Sequence, residues 1–486
     1  MVVAFEPHAN DAGDVADPAA ASGFGHETTR YLCGAAYTDR VFREAVLGHS
    51  REAFRARAPE VGVDVGMVTA HCKRAQNSKM IRDLVICAPS AVFLFLMFKS
   101  LDSGALRDGD VGRAAVEVAG LCWLVAMAAT LFEAFNLDGI LRGKLTRDAF
   151  YRQTFEPDPQ RDSGNLVVYS GFSPFAGSGS DLGGWSFAVD LERGKQGMTA
   201  HEPRPFDLAE LYAHIGRAFE GLHIPNLRLG RKLFVSGRAI RREAMFLPDI
   251  HHRPVQAVDD QVVAGYASSP SKSVRHYLCV ETVDWNGELA ITLFIRFQKL
   301  SSKLFVELSA FLLPPLKPSY YSLDKVHPNL RFKDALAILA VAVVKSAFLL
   351  VLAPLISLTR LQTAFEHGSI ERRQRKQIDE DLLFDYGAGQ SVREMATGRD
   401  WRFYFQKLDK EMHHKILQQQ LLDSLVDFLD DHGVDTSEIK ERTMHILNNG
   451  VIVSGGALNA QGLAVGEGAQ AKVSNAIKRT RQKMSA

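Results

Sequence analysis

The 486-residue chain is short of the usual signatures of chemistry. Its five cysteines (Cys33, Cys72, Cys87, Cys122 and Cys279) are scattered, and no two have the spacing of a zinc knuckle or redox pair. None follows Cys279, so no disulfide forms within the rest of the chain, which fits a reducing compartment. Charge imbalance is missing too. Lys and Arg number 57 against 56 Asp and Glu, a formal net charge of +1. That removes a global drive toward nucleic acid and leaves electrostatic recognition to local patches. The first 30 residues lack the basic start and apolar core of a signal peptide. The loop 171–184 holds five glycines but no Gly-Lys-Ser/Thr ending. Strand-like sequence follows it at Trp185, not a helix whose N-terminus could receive phosphate. No Gly-x-Ser-x-Gly elbow occurs. His251-His252 and His413-His414 are adjacent pairs that diverge on a strand or a helix, so neither suits one metal ion. The expectation is a non-enzymatic protein with no catalytic residues, no metal and no cofactor.

What the chain does have is oil-soluble sequence. Mean hydropathy is −0.06, too low for a transporter built mainly of helices. Yet residues 84–98 and 118–132 are uncharged apolar runs of fifteen residues each. As helices they cover roughly 22 Å, against a hydrocarbon core of about 30 Å. Arg82 and Lys99 flank the first run and Glu117 and Glu133 the second, and such ends can snorkel to close the gap. The segment Val92-Phe93-Leu94-Phe95-Leu96-Met97-Phe98 has no polar face to turn toward water. Residues 81–135 therefore read as a transmembrane hairpin. A third stretch, 334–358, is broken by Lys345 and Ser346 and carries Pro354 near its end. It is long enough to span.

Sidedness is read from Lys and Arg in short flanks. Lys73, Arg74, Lys79 and Arg82 precede the hairpin, and Arg142, Lys144, Arg147 and Arg152 follow it. Only Lys99, Arg107 and Arg113 lie between the runs. This favours a cell (inner) membrane protein with both hairpin ends, and the bulk of the chain, in the cytoplasm. The third stretch complicates that, because it is basic on both sides. It is either a third transmembrane helix or re-entrant.

Between these segments, residues 160–316 read as a soluble α+β domain. Residues 208–222 are an amphipathic helix, with Leu208, Leu211, Ile215 and Phe219 on one stripe. A meander follows at 274–313. Its first turn, Asp284-Trp285-Asn286-Gly287, contains the Asn-Gly pair that accepts positive φ. Leu289, Ile291, Leu293, Ile295 and Phe297 then alternate with Thr292 and Arg296, the period of an antiparallel sheet. Around this domain, 1–27 is acidic and reads as disordered, 28–80 reads as helical, and 378–447 is a charged helical region.

Two basic clusters stand out. Arg228, Arg231, Lys232, Arg238, Arg241 and Arg242 crowd into 15 residues with no acidic residue among them. Near an anionic leaflet such groups are worth about 1 kcal/mol each, so the patch is expected to face lipid headgroups. Arg372, Arg373, Arg375 and Lys376 form a juxtamembrane cluster after the third stretch.

The segment 448–473 alternates small and β-branched residues with Gly, Asn and Gln. Asn449, Gly450, Val451, Ile452, Val453, Gly455, Asn459, Gln461, Val465 and Gly466 suit a short β-arch or β-roll that self-associates. Its Asn-Gly-Val-Ile-Val-Ser-Gly-Gly part resembles bacterial amyloid-signalling motifs, and its Ala-Val-Gly-Glu-Gly-Ala-Gln-Ala part the β-roll heads of trimeric autotransporter adhesins. Taken over about residues 30–475, the chain resembles a group of uncharacterised multi-pass membrane proteins of high-GC bacteria. The likeness rests on Tyr-Leu-Cys-Gly-Ala-Ala-Tyr at 31–37, Tyr-Ser-Gly-Phe-Ser-Pro-Phe at 169–175, Gly-Trp-Ser-Phe at 184–187 and the Gly/Asn tail. It implies a membrane protein with a cytoplasmic domain and carries no activity to transfer.

The expected architecture is α+β: a membrane helical hairpin and a third apolar helix, an antiparallel β-rich domain, and a C-terminal helical region with a short β tail. The expected function is assembly. The tail recruits copies of the chain or a protein partner sharing the motif, as an effector or docking factor, with membrane lipids as the other partner and nucleic acid as none. One alternative is a lipid- or glycan-binding anchor using 160–316. The other is a membrane hydrolase with a novel site.

Overall fold

The computed structural model describes residues 26–103, 109–152, 164–194, 203–224 and 226–448. The acidic segment before His26 and the self-association residues from Asn449 to Gly466 lie outside them. Described helices are α1 (His26–Thr38), α2 (Arg40–Arg51), α3 (Val65–Ser103), α4 (Gly109–Lys144), α5 (Arg147–Tyr151), α6 (Leu208–Glu220), α7 (Asp260–Ser268), α8 (Phe332–Glu380), α9 (Val392–Met395), α10 (Tyr404–Asp431) and α11 (Ser437–Asn448). The strands are β1 (Leu166–Tyr169), β2 (Ser180–Asp190), β3 (Leu227–Ser236), β4 (Val274–Asp284), β5 (Leu289–Leu300) and β6 (Lys303–Leu313). They form one sheet in the order β1-β3-β4-β5-β6-β2, so the chain is α+β. β1 runs parallel to β3, while β3–β4 and β4–β5 are antiparallel.

The chain divides into two compact units. The first comprises Met1–Gly184, Ile224–Arg296 and Leu308–Lys410. Its sheet is covered on both faces, and the period-2 alternation explains how. Leu233 and Val235 of β3 join Leu166, Val168 and Val274 in one core, which also receives Ile378 and Tyr386. Phe234, between them in sequence, points the other way into Val167, Tyr277, Cys279, Phe294 and Phe175. Phe175 stacks on Phe294 with centroids 4.2 Å apart. At the first turn of the meander Trp285, Asn286 and Gly287 all take positive φ.

The segment read as one helical stretch at 28–80 is instead α1, α2, an irregular loop at 52–64 and the start of α3. α1 is buried on all sides from His26 to Tyr37, which requires a partner on each face. Val68, Cys72 and Ala75 of α3, Ile140 of α4, Leu145 just beyond it, and Tyr320 and Leu323 supply them. Asp39 ends α1 and caps α2, accepting from the Phe42 amide at 3.0 Å.

Three helices of this unit are long and apolar enough to cross a membrane: Val65–Lys99, Arg113–Lys144 and Phe332–Thr359. Only 22, 17 and 22% of their apolar windows are buried. Leu84, Phe98, Leu121, Phe132, Val341 and Phe348 all stand exposed, an apolar surface too extensive for a water-facing bundle. The three meet on a small core of Ile86, Cys122, Ala126, Leu349, Leu350 and Ala353.

The second unit comprises Trp185–His223, Phe297–Glu307 and Glu411–Ala486. The α6 stripe buries Leu208, Leu211, Ile215 and Phe219, with Tyr212 beside it. The Tyr212 hydroxyl accepts from the Phe297 amide at 2.9 Å. Leu417, Leu421, Leu425 and Phe428 are buried along α10, with Phe206 edge-on to Phe428. Gly433, at φ 79°, ends that helix, and Asp435 accepts from the Ser437 amide to open α11.

Candidate functional site

The first unit holds a partly open cavity of about 1070 Å³. Its floor is one face of the sheet. In the antiparallel register Arg228 lies opposite Glu281, which lies opposite Thr292; the next row on the same face is Gly230, Cys279 and Phe294. Lys232 and Phe234 continue that face along β3, and all of these residues border the space. β1 pairs only with Leu233–Ser236, so β3 from Leu227 to Lys232 has no described strand on its outer side. The cavity wraps around this edge, which brings Arg231 to the lining as well.

The opposite wall is the 52–64 loop and the first turns of α3. Arg57, Pro59, Glu60 and Asp64 come from the loop, and Thr69 and Lys73 from the helix. Glycine brings the third wall close. A Cβ on Gly177, whose φ is +91°, would lie 2.3 Å from the Pro59 carbonyl oxygen. The glycine-rich loop is therefore pressed onto the wall, and β2 begins at Ser180, five residues before the strand expected at Trp185.

Six basic residues border the cavity (Arg57, Lys73, Arg152, Arg228, Arg231 and Lys232) against three acidic ones, Glu60, Asp64 and Glu281. Two of the three acids already serve the backbone. Glu60 accepts from the Val392 and Arg393 amides at 2.7 and 3.2 Å, and Asp64 accepts from the Met67 amide at 2.9 Å. The two lining histidines add no charge at neutral pH. Burial holds His26 below its ordinary value despite the opposing Glu27 carboxylate. Burial also lowers His49, aided by Arg57 and Arg253 and opposed by Glu52. Burial pushes the Cys279 thiol up to about 12, which leaves it a packing group rather than a nucleophile. Cations on the floor and walls beside an apolar patch of Val167, Phe234 and Phe294 suit an anionic group attached to an apolar body.

The basic cluster read from sequence is thus divided. Arg228, Arg231 and Lys232 border the cavity. Arg238 pairs with Asp385 at 3.5 Å, and Arg241 donates to the carbonyls of Ile378 and Asp381 at 2.6 and 3.2 Å. Arg242 is exposed away from the lining. Arg372, Arg373, Arg375 and Lys376 lie on the last turns of α8, where Arg375 pairs with Glu371 and Lys376 with Glu380. His251 and His252 take separate partners, Asp379 and Asp249. Among the described residues no group of three or more His, Cys, Asp or Glu could hold a metal ion.

Two polar clusters escape a reading of the sequence. Between the apolar helices Arg82 donates to Asp83 at 2.7 Å and to Glu133 at 2.9 Å, and the Lys345 ammonium lies 3.4 Å from the same Glu133 oxygen. At the end of α4, Arg30 joins Glu27 at 2.7 Å and also Asp324. Asp324 accepts from Tyr31 and Arg402, and Arg402 reaches Glu288 at 3.0 Å. Glu133, Lys345, Asp324, Arg402 and Glu288 lie too far along the chain from Arg82 and Arg30 to form a local pattern with them, so only the packed chain reveals the clusters.

A family model, that of the AbeC-like domain, matches residues 184–461. No curated protein and no solved structure matches the chain.

Proposed function

The chain belongs to the AbeC-like domain family, and on that premise we propose that it is a membrane-anchored binding protein whose cavity takes an anionic amphiphile. The single observation behind this reading is the cavity lining, with six cations against three acids around an apolar patch that includes Phe234 and Phe294. The three apolar helices support the anchor. One cavity wall, from Thr69 to Lys73, is the leading part of the helix that becomes the first apolar span, so the site and the anchor share an element. A glycan is a poorer match for a lining rich in cations than a phosphate- or carboxylate-bearing ligand.

The test uses full-length protein in detergent with dihexanoyl phosphatidic acid, held below its micelle concentration, as the probe. Calorimetric titration should show saturable binding, with dihexanoyl phosphatidylcholine at least tenfold weaker. Lys232→Glu should weaken the acid by tenfold or more, while Arg242→Glu, which lies off the lining, should leave it unchanged. Equal binding of the two lipids, or equal effects of the two substitutions, would remove the basis for the reading.

A further inference from the structure

The third apolar helix presents a conflict between composition and attachment. α8 is one helix of 49 residues with Pro354 inside it. Its beginning is tied to the end of the hairpin: Arg142 of α4 lies 3.3 Å from Asp334 and also donates to the carbonyls of His327 and Asn329. Its end is tied to the sheet. Ile378 is fully buried among Leu166, Leu233 and Val235, and Arg375 lies over the Phe54 ring at 5.6 Å. Arg241 satisfies the Ile378 carbonyl.

Both attachments are to the same compact unit. They also lie at the same end of the hairpin. α3 and α4 leave the buried layer around α1 through Val68, Cys72 and Ala75 and return to it through Ile140 and Leu145, just past the end of α4. A helix that crossed between Phe332 and Thr359 would carry the following turns away from that layer, on the far side of the bilayer. Here they lead back into the sheet's core.

Lys345 agrees with this. By sequence it stands near the middle of the apolar window, where a spanning helix would hold it deep in hydrocarbon. Its contact partner Glu133 directly follows the second apolar run of the hairpin, and the Arg82 bound to Glu133 stands just before the first. The Lys345 side chain, 42% exposed, is thus at the boundary of the apolar layer, where an ammonium can reach headgroups.

We infer that α8 does not cross the bilayer: it embeds in the single leaflet facing the sheet, and both of its ends stay on that side. Its exposed face (Leu336, Val341, Val344, Phe348, Leu355 and Leu358) then takes the acyl chains of that leaflet as its partner. The basic residues Arg331 and Lys333 before it and Arg372 and Arg373 after it face the same layer of headgroups, which removes the conflict of a helix basic on both flanks. The inference does not depend on the cavity having a ligand.

Single cysteines at three exposed positions test it in the full-length chain: Lys333→Cys and Arg373→Cys flank α8, and Arg113→Cys lies at the far end of the hairpin. Each is treated with a membrane-impermeant maleimide in sealed right-side-out and inside-out vesicles, against the labelling of the unsubstituted protein. Lys333→Cys and Arg373→Cys should react in the same preparation and be protected in the other, with Arg113→Cys showing the reverse. Reaction of the two α8 flanks in opposite preparations overturns the inference. So does silence of either flank in both, because both positions are open to water in this arrangement.

Discussion

Arg82 and Glu133 meet at 2.9 Å, with side chains 6 and 2% exposed, and join two helices whose sequences read as separate apolar runs. Each is costly to bury alone, and the pair is tolerated because Arg82 also holds Asp83. Removing Glu133 leaves Arg82 paired with Asp83 but takes a charge-assisted hydrogen bond from it, an effect of about 1.5–3 kcal/mol. Glu133→Ala should therefore lower the midpoint of thermal unfolding in detergent sharply. Lys345→Ala should cost less, because that ammonium is half-exposed and its contact is longer. Equal losses from the two substitutions would show that Glu133 is held mainly by packing.

The Glu27–Arg30–Asp324 cluster predicts an acid transition. Burial pushes the Glu27 carboxyl up, but Arg30, with hydrogen bonds from Arg147, Arg30 and Tyr151, outweighs it and holds the group below the usual carboxylate range. Asp324 is likewise lowered: burial raises it, and Arg30, Tyr31 and Arg402 overcome that effect. Both carboxyls titrate lower in the folded than in the unfolded chain. Their stabilisation is complete above about pH 4–4.5, the unfolded range, and is lost as pH falls through the lower folded values. His276 acts earlier. Burial, with Arg231 nearby, lowers it to about 4, so stability already falls as pH drops from about 6.5 toward that value. Melting temperatures from pH 8 to 3 should show both phases. Glu27→Gln should reduce the lower one, which Asp324 shares, and His276→Phe the upper, which His26 and His49 share, each leaving the other phase in place.

Gly177 predicts a local effect with a functional consequence. Its positive φ and the 2.3 Å approach of a hypothetical Cβ to the Pro59 carbonyl leave no room for a side chain. Gly177→Ala should cost about 1–3 kcal/mol in backbone strain alone. It should also move the loop bearing Ala176 and Ser178 off the cavity wall. Proteolysis of the native protein reads this directly. Cleavage at 171–179 should rise well above that in Gly48→Ala, where a Cβ meets nothing within 4 Å.

These residues show where sequence reading stops. The apolar runs and the β5 alternation are local patterns that burial imposes on neighbouring positions, and both are visible before the fold is known. Asn286-Gly287 announces its own turn for the same reason, since a positive φ selects residue type directly. The cavity is different. Arg57 and Lys232 border one cavity only because the 52–64 loop lies over the sheet, and nothing in either neighbourhood encodes that. The basic patch shows the same limit: Arg228 and Arg241 are close in sequence, but one borders a cavity and the other closes a helix end. The full length of α8 is hidden for a further reason. Its charged last turns continue the helix past Pro354 and Gly368, residues that read as breakers, so composition changes at 359 while the backbone stays helical.

The tail from Asn449 lies outside the described residues, and its self-association is a proposal drawn from Val451-Ile452-Val453 set among Gly, Asn and Gln. Three adjacent β-branched residues without a charge form a sticky strand unless paired. In that proposal the segment has a role in assembly that does not depend on the cavity. Deleting 448–471 should therefore reduce the size of the detergent-solubilised particle measured by light scattering, yet leave phosphatidic acid binding within twofold. Ile452→Lys, which places a charge in the middle of the proposed strand, should reproduce the loss of size without shortening the chain. An unchanged particle in both variants would assign the tail no part in assembly.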